Sequence, residues 1–392
     1  MQYIYAFAEA LPVWIPLGAM LLGLAAFITL RLKFYGIIRK ARENEPAEVP
    51  CDEREPVTVV ICCRDEGEAL DKNLPSVLGQ KGVRLEVIVV DDGSTDSTAE
   101  VLKRYENSYP NLRHTFVPRS ARYVSHEKLA ITLGVKAAKY EWIVITGADC
   151  SPESDSWLET MNRNFTPEND IVLGYSNFSD DGSITTRRAI FERLMYQLLW
   201  YNAAGKRAVG GDGANLAFRR SAFLAGNGYA AMLDFTYGTD DLFVNYLARP
   251  GRTAVCCSPS AIIRQCGHVT VHRYRKLKMK RVLAQQAMNI RDRMCFLPAN
   301  IMNTGQYLFA VVGIVSAIAL FALGNFVAAG AVCAAIVATT VTDILMFRRV
   351  TSALGEPLYV VSLIYYETVR PLLFPLWKLR CRLHRRDFNR KI

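Results

Sequence analysis

The chain has 392 residues, of which 51% are hydrophobic and 21% charged, and a formal net charge of +10. That length suits one large core with attached segments, and an apolar excess beside so many charges has to be concentrated in particular stretches. The positive charge is confined as well: residues 31–42, 273–293 and 378–392 together carry +18, so the remainder nets −8, which argues against nucleic acid as a partner.

Residues 11–30 form an uncharged run of 20, and residues 294–342 form a run of 49 without Asp, Glu, Lys or Arg. A bilayer core takes about 20 apolar residues per helical span. The first run therefore reads as one span and the second as two, hinged at Gly324-Asn325-Phe326. Basic residues rather than a small-residue cleavage site follow the first run: Arg31, Lys33, Arg39, Lys40 and Arg42. This is a stop-transfer pattern, and the positive-inside rule puts residue 31 onward in the cytoplasm, with Arg348 and Arg349 marking the same side after the hairpin. The ten cysteines include the adjacent pairs Cys62-Cys63 and Cys256-Cys257 and no CxxC spacing. They suit a reducing compartment and point to no catalytic thiol, with Cys150 the one to watch because it follows Asp149.

After a polar, acidic linker at 43–56 comes "VTVVICC" (57–63), an apolar β-branched run of the kind that fills a strand covered on both faces. A helix is expected over 69–79, a second strand at "LEVIVV" (85–90), a helix over 128–138 and a third strand at "YEWIVIT" (140–146). Strands alternating with helices predict an open α/β sheet with parallel strands, whose ligands sit at the strands' carboxyl ends. Those ends read "RDEGE" (64–68), "DDGSTD" (91–96) and "TGADC" (146–150), and all three are expected to face one crevice. No GxGxxG follows the first strand, which removes the main support for a dinucleotide-dependent dehydrogenase. Structural readings stand beside the functional ones: Asp96 as cap of a helix starting near Ser97, and Thr239 or Asp240 as cap of a helix carrying Leu242, Phe243, Tyr246 and Leu247.

The segments "VTVVICCRDEGEALDKNLPSVLGQ", "VIVVDDGSTDST", "HEKLAITLGVKAA", "ITGADCSP", "GGDGANLAFRRSAF" and "YGTDDLFVNYLA" occur here in one order over residues 57–250. In that order and spacing the chain resembles the inverting family 2 glycosyltransferases, whose relatives include cellulose and hyaluronan synthases and polyprenyl-phosphate sugar synthases. The resemblance implies an α/β, Rossmann-like GT-A nucleotide-sugar domain with a largely parallel sheet. The expected organisation is a transmembrane helix and basic flank at 1–42, the cytoplasmic GT-A domain at 57–265 and a basic interfacial helix region at 266–300. A transmembrane hairpin at 301–347 and an interfacial segment with a basic tail at 348–392 complete it.

The resemblance also implies roles. Arg64, Asp65, Glu66, Asp91 and Asp92 would bind the nucleotide of a UDP-sugar donor. Gly147 and Asp149 stand where the family has its DxD motif: Asp149 keeps the member that holds Mg²⁺ or Mn²⁺, and Gly147 replaces the other. Hard cations complete their shell with phosphate and water, so one aspartate can suffice. Lys128 is either a support of the donor pocket or a solvated surface lysine. Thr239-Asp240-Asp241 matches the family's TED-like motif, with Asp241 as general base and Asp240 as acceptor contact or supporting partner; Asp212 and Asn215 would contact sugar or acceptor. A clean QxxRW motif is missing, and Lys278 and Arg281 are the expected phosphate contacts, on a helix that equally suits lipid headgroups. The expectation is an inverting, metal-dependent hexosyltransferase of the bacterial inner membrane, its acceptor a lipid-linked molecule or a glycan. Single addition is preferred to processive synthesis, and a non-catalytic GT-A-like scaffold is the alternative.

Overall fold

The structure is a computed structural model, and it describes residues 22–117, 125–232, 236–357 and 360–383. The first half of the N-terminal apolar run and the end of the basic tail lie outside the described residues. The chain divides into two compact units, Met1–Gly36 with Leu297–Phe374, and Ile37–Phe296 with Pro375–Ile392.

In chain order, helix α1 covers 22–35, followed by α2 (Ile37–Glu43), β1 (Val57–Cys63), α3 (Gly67–Leu78), β2 (Leu85–Asp91), α4 (Thr98–Ser108) and β3 (Leu112–Phe116). Next come α5 (His126–Ala137), β4 (Trp142–Gly147), β5 (Cys150–Pro152), α6 (Trp157–Asn162), β6 (Ile171–Gly174), β7 (Ser176–Phe178) and α7 (Ile184–Ala204). The remainder is β8 (Leu216–Arg219), α8 (Arg220–Ala225), α9 (Asp241–Leu247), β9 (Thr253–Cys256), β10 (Ile263–Gln265), α10 (Val271–Ala287), α11 (Ile290–Met294), α12 (Leu297–Ala322), α13 (Phe326–Ala353) and α14 (Val360–Leu383).

Seven strands form one sheet in the order β3-β2-β1-β4-β8-β6-β9. The first four run parallel, with Val59 paired to both Val87 and Val144, while β8 is antiparallel to β4 and to β6. The expected largely parallel α/β sheet is therefore present. Its apolar strands are buried throughout their middles, Val57, Val59, Val60, Val87 and Val144 being without exposure. Each such side chain contributes about 1.5–3 kcal/mol on leaving water. β5, β10 and β7 form a small second sheet, which brings Gln265 beside Cys150.

Helix α5 lies unusually close to this core because it carries glycine at its contact point. A Cβ at Gly134 would fall 2.5 Å from Val60 Cγ1 and 3.3 Å from Val90 Cγ2. Helix α3 begins two residues earlier than expected, at Gly67, and the N-cap of α4 is Ser97 rather than Asp96. Asp96 still serves both starts, its Oδ1 accepting from Thr98 N at 3.1 Å and its Oδ2 from Gly67 N at 3.0 Å.

In the other unit the long apolar run is a helical hairpin. It breaks where expected: Gly324 has φ of 75°, and the Asn325 side chain accepts from Ala328 N at the start of α13. Helix α13 is long and apolar enough to cross a membrane, and Leu308–Ala322 is a shorter apolar helix. Arg31, the first residue of the basic flank, is not exposed. It is fully buried, 3.1 Å from the equally buried Asp343 through Nε, and donates to the Tyr35 hydroxyl, so it belongs to the packing between helices.

Replacing Gly134 with Ala tests the close approach of α5. The added methyl improves intrinsic helix propensity by about 1 kcal/mol, but overpacking costs about 1–3 kcal/mol, so the urea midpoint of the full chain in detergent should fall. A rise would show that the helix stands off the sheet.

Candidate active site

The ends of β1, β2 and β4, the start of α9 and one face of α10 border a single cavity of about 630 Å³, all within the unit that contains the seven-stranded sheet. Of the residues singled out in the sequence, Arg64, Glu66, Asp92, Gly147, Asp149, Asp212, Thr239, Asp240, Asp241 and Arg281 line it.

Five do not line it, each for a visible reason. Strand β2 ends at Asp91, and Asp92, the first residue beyond it, reaches the cavity while Asp91 does not. Asp91 instead closes its own turn, accepting from Ser94 N at 2.9 Å and from the Ser94 hydroxyl. Asp65 has φ of 52° and accepts from Thr95 N at 2.7 Å. Asn215 is buried with its amide spent on the fold, donating to the Tyr175 and Ala261 carbonyls and accepting from Trp157 Nε1. Lys128 is fully buried, so it is not a solvated lysine, and it stands behind the cavity wall rather than in it. Its Nζ donates to the carbonyls of Met232 at 2.6 Å and Tyr237 at 3.0 Å, which anchors the segment leading into Gly238 and Thr239. Burial pulls its pKa down to about 8. Lys278 points away from the cavity into α7, where its Nζ lies 2.6 Å from Glu192 Oε2 beside the Tyr274 hydroxyl on Oε1.

At the end of β2, Asp92 is hydrogen-bonded to His126 Nδ1 at 2.8 Å and stands 3.6 Å from Arg64 Nη1. At the end of β4, Asp149 accepts from Gln265 Nε2 at 3.0 and 2.9 Å and from Arg273 Nη2 at 2.8 Å. Gly147 leaves room for this arrangement, since a Cβ there would sit 2.9 Å from Asp149 Oδ1 and 3.2 Å from Cys150 Sγ. Between them lies Glu66, whose pKa is pushed up to about 7 by burial and by the charge of Asp149.

The third acidic group surrounds the start of α9. Asp240 caps that helix, accepting from Asp241 N at 2.9 Å, and also accepts from Gly213 N at 3.3 Å. Asp241 accepts from Leu242 N at 2.8 Å. Burial, reinforced by the charge of Asp240, raises the Asp241 carboxyl well above the usual range, and burial with Asp212 raises Asp240. Asp212 behaves differently. Burial pushes it up, but the two-pronged contact from Arg193 outweighs that and holds it below the usual range. Arg281 stands 3.6 Å from the same carboxylate, its guanidinium over the ring of Tyr196.

Arg193, Gln265, Arg273, Glu127, Lys276 and Lys280 are functional-site neighbours that sequence reasoning did not assign. Arg193 had little signal of its own, since Arg187, Arg188 and Glu192 stand on the same helix. For a divalent cation, no group of three or more His, Cys, Asp or Glu is arranged as a complete site among the described residues. The donor set at Asp149 fits a hard cation that arrives with phosphates and waters, which needs only one or two protein carboxylates.

Comparison with known proteins agrees with this geometry. Residues 58–225 match the family described as Glycosyl transferase family 2. The poly-beta-1,6-N-acetyl-D-glucosamine synthase of Staphylococcus aureus (strain COL) is 25% identical over 142 residues, 36% of this chain and 33% of that protein. The Staphylococcus epidermidis protein of the same name is 26% identical over 133 residues, 33% of this chain and 31% of that one. The chain thus spans about a third of the length of the curated relatives it matches. Among solved structures, the mannosyltransferase PcManGT from Pyrobaculum calidifontis in complex with GDP-Man and Mn²⁺ aligns with a TM-score of 0.51 at 20% identity. That alignment covers 92% of this chain and 99% of the other. Residues 58–225 are therefore similar to the family 2 glycosyltransferases, and the fold is similar to that of a solved mannosyltransferase.

Proposed function

We propose that this enzyme transfers a sugar, with inversion, from a UDP-linked donor to a lipid-linked or glycan acceptor at the cytoplasmic face of a membrane. The observation that carries this reading is the convergence of Asp92, Asp149 and Asp241 on one cavity bordered by Lys276, Lys280 and Arg281. Three tasks of the reaction find separate groups there. Asp92, held by His126, accepts from the nucleoside. Asp149 would hold the cation, which supplies charge to the diphosphate when bound. Lys276, Lys280 and Arg281 stand on α10 where a diphosphate needs cations, and take the phosphate role expected of Lys278.

Asp241 is the base. As the acceptor oxygen attacks the anomeric carbon, its proton passes to Asp241, a new C–O bond forms, and the bond between the anomeric carbon and the diphosphate breaks with its electron pair going to the phosphate oxygen. Nucleoside diphosphate leaves. A raised pKa suits this role, because a base is most effective when its pKa approaches the working pH. Asp240 caps α9 and, with its neighbouring charge, helps keep that pKa high.

The poly-N-acetylglucosamine synthases among the relatives make UDP-N-acetylglucosamine the first donor to test and favour a glycan acceptor. The apolar hairpin of α12 and α13, and the basic flanks of the chain, support attachment to the cytoplasmic leaflet of a bacterial inner membrane.

Detergent-purified protein should release UDP from UDP-N-acetylglucosamine in Mn²⁺, and Asp241→Asn should lower the turnover about 10²–10⁴-fold; an Asn variant as active as wild type would remove Asp241 as the base, and no UDP release by either protein would return the chain to a non-catalytic scaffold. The pH profile of kcat/KM has a fixed sign. Only ionised Asp241 accepts a proton, so activity should fall as pH drops through its raised pKa, with the acid limb above that of an ordinary aspartate. A rate flat down to pH 4 would contradict the assignment. Asp149→Asn, or wild type in EDTA, should lose activity that added Mn²⁺ restores in wild type alone, as followed by released UDP.

A further inference from the structure

The carboxylate read as the cation's is already occupied by the chain itself. Both oxygens of Asp149 receive the Gln265 amide, and Oδ2 also receives Arg273. These two partners differ in how firmly they are held. Gln265 Oε1 accepts from Arg193 Nη1 at 2.7 Å, and Arg193 is buried and bound along its other edge to Asp212. Gln265 is thus locked in place. Arg273 sits in the first turn of α10, its backbone N–H bonded to Thr270 Oγ1 at 3.1 Å and its side chain 35% exposed. Its guanidinium, 5.7 Å from the Phe178 ring, is part-exposed and can move out into water when another cation takes its place at the less exposed Asp149.

A guanidinium and a divalent cation cannot share one carboxylate at contact distance without strong repulsion. We propose that Arg273 is a removable counter-ion for Asp149. In the donor-free enzyme it holds the carboxylate; when nucleoside diphosphate and cation enter together it yields that position and pairs with the diphosphate. The inference rests on the reading of Asp149 given above and adds an order to it: the cation binds poorly until the nucleotide gives Arg273 somewhere to go. Gln265 stays behind and keeps the Asp149 carboxylate oriented during the exchange.

The test is Mn²⁺ binding by the full chain, followed through the EPR signal of free Mn²⁺, with and without UDP and with no turnover involved. Arg273→Gln should bind Mn²⁺ without UDP about tenfold more tightly than wild type. Arg273→Lys should fall between the two, and Arg104→Gln, which removes an exposed arginine paired with Asp71, should match wild type. In UDP the advantage of Arg273→Gln should shrink, because the lost guanidinium no longer contacts the diphosphate. If wild type binds Mn²⁺ in UDP but Arg273→Gln gains nothing without it, the counter-ion role is wrong. If wild type binds no Mn²⁺ even with UDP, the assignment of Asp149 itself fails.

Discussion

Repulsion among carboxylates gathered at one end of a parallel sheet is the constraint on which this active site is built. Glu66, Asp92, Glu127, Asp149, Asp212, Asp240 and Asp241 all border one cavity, and burial makes each negative charge more costly than it would be in water. The chain meets this with cations placed where they touch several acids at once. Arg193 is the central one: bound along one edge to Asp212 and by the other to Gln265, it links the acid ahead of β8 to the acid at the end of β4 through the buried Arg193 and Asp212 and the part-buried Gln265. Asp212 is thereby kept ionised, and its charge helps to raise the pKa of Asp240 and Asp241. One buried arginine thus separates a permanently charged acid from a pair poised to take a proton.

The position of α10 follows from the same economy of charge. Glu192 on α7 receives both Lys278 and Tyr274, fixing the inner face of the helix, and this leaves Lys276, Lys280 and Arg281 facing the cavity. Periodicity accounts for part of the division: residues 276 and 280 share a helix face and 278 lies away from it, while Arg281, at the border of the two, reaches Asp212.

What could be read from the sequence depended on how local the signal was. The parallel strands were legible because "VTVVICC" and "LEVIVV" are continuous apolar runs rich in β-branched residues, and the hairpin break was legible because Gly324 tolerates the positive φ of a turn and Asn325 has a side chain that can cap the next helix. The crevice itself could be located, since ligands on open α/β sheets sit at the carboxyl ends of strands. Which acid of an adjacent pair faces it could not, because Asp91 and Asp92 are chemically alike and differ only in that β2 ends at the first of them. Lys128, Asn215 and Lys278 were misassigned for a related cause: each finds its partners about 40 to more than 100 residues away in sequence, at Met232 and Tyr237, at Tyr175 and Ala261, and at Glu192. Gln265 and Arg273 carried no motif at all; the pairing of β10 with β5 brings Gln265 to Asp149, and Arg273 reaches it from the first turn of α10. The departure of Gly147 from DxD, which looked like a loss, has a steric reason in the space taken by Asp149 and Cys150.

The central claim is that the nucleoside, the diphosphate-bound cation and the base share one cavity between the ends of β1, β2 and β4 and helix α10. A structure of the protein with UDP and Mn²⁺, with the metal located by its anomalous scattering, tests it most directly. The account predicts a metal peak at coordinating distance from Asp149, uracil or ribose against Asp92, and Arg273 turned from the carboxylate to the phosphates. Nucleotide bound on another surface, with Arg273 still on Asp149, would contradict it.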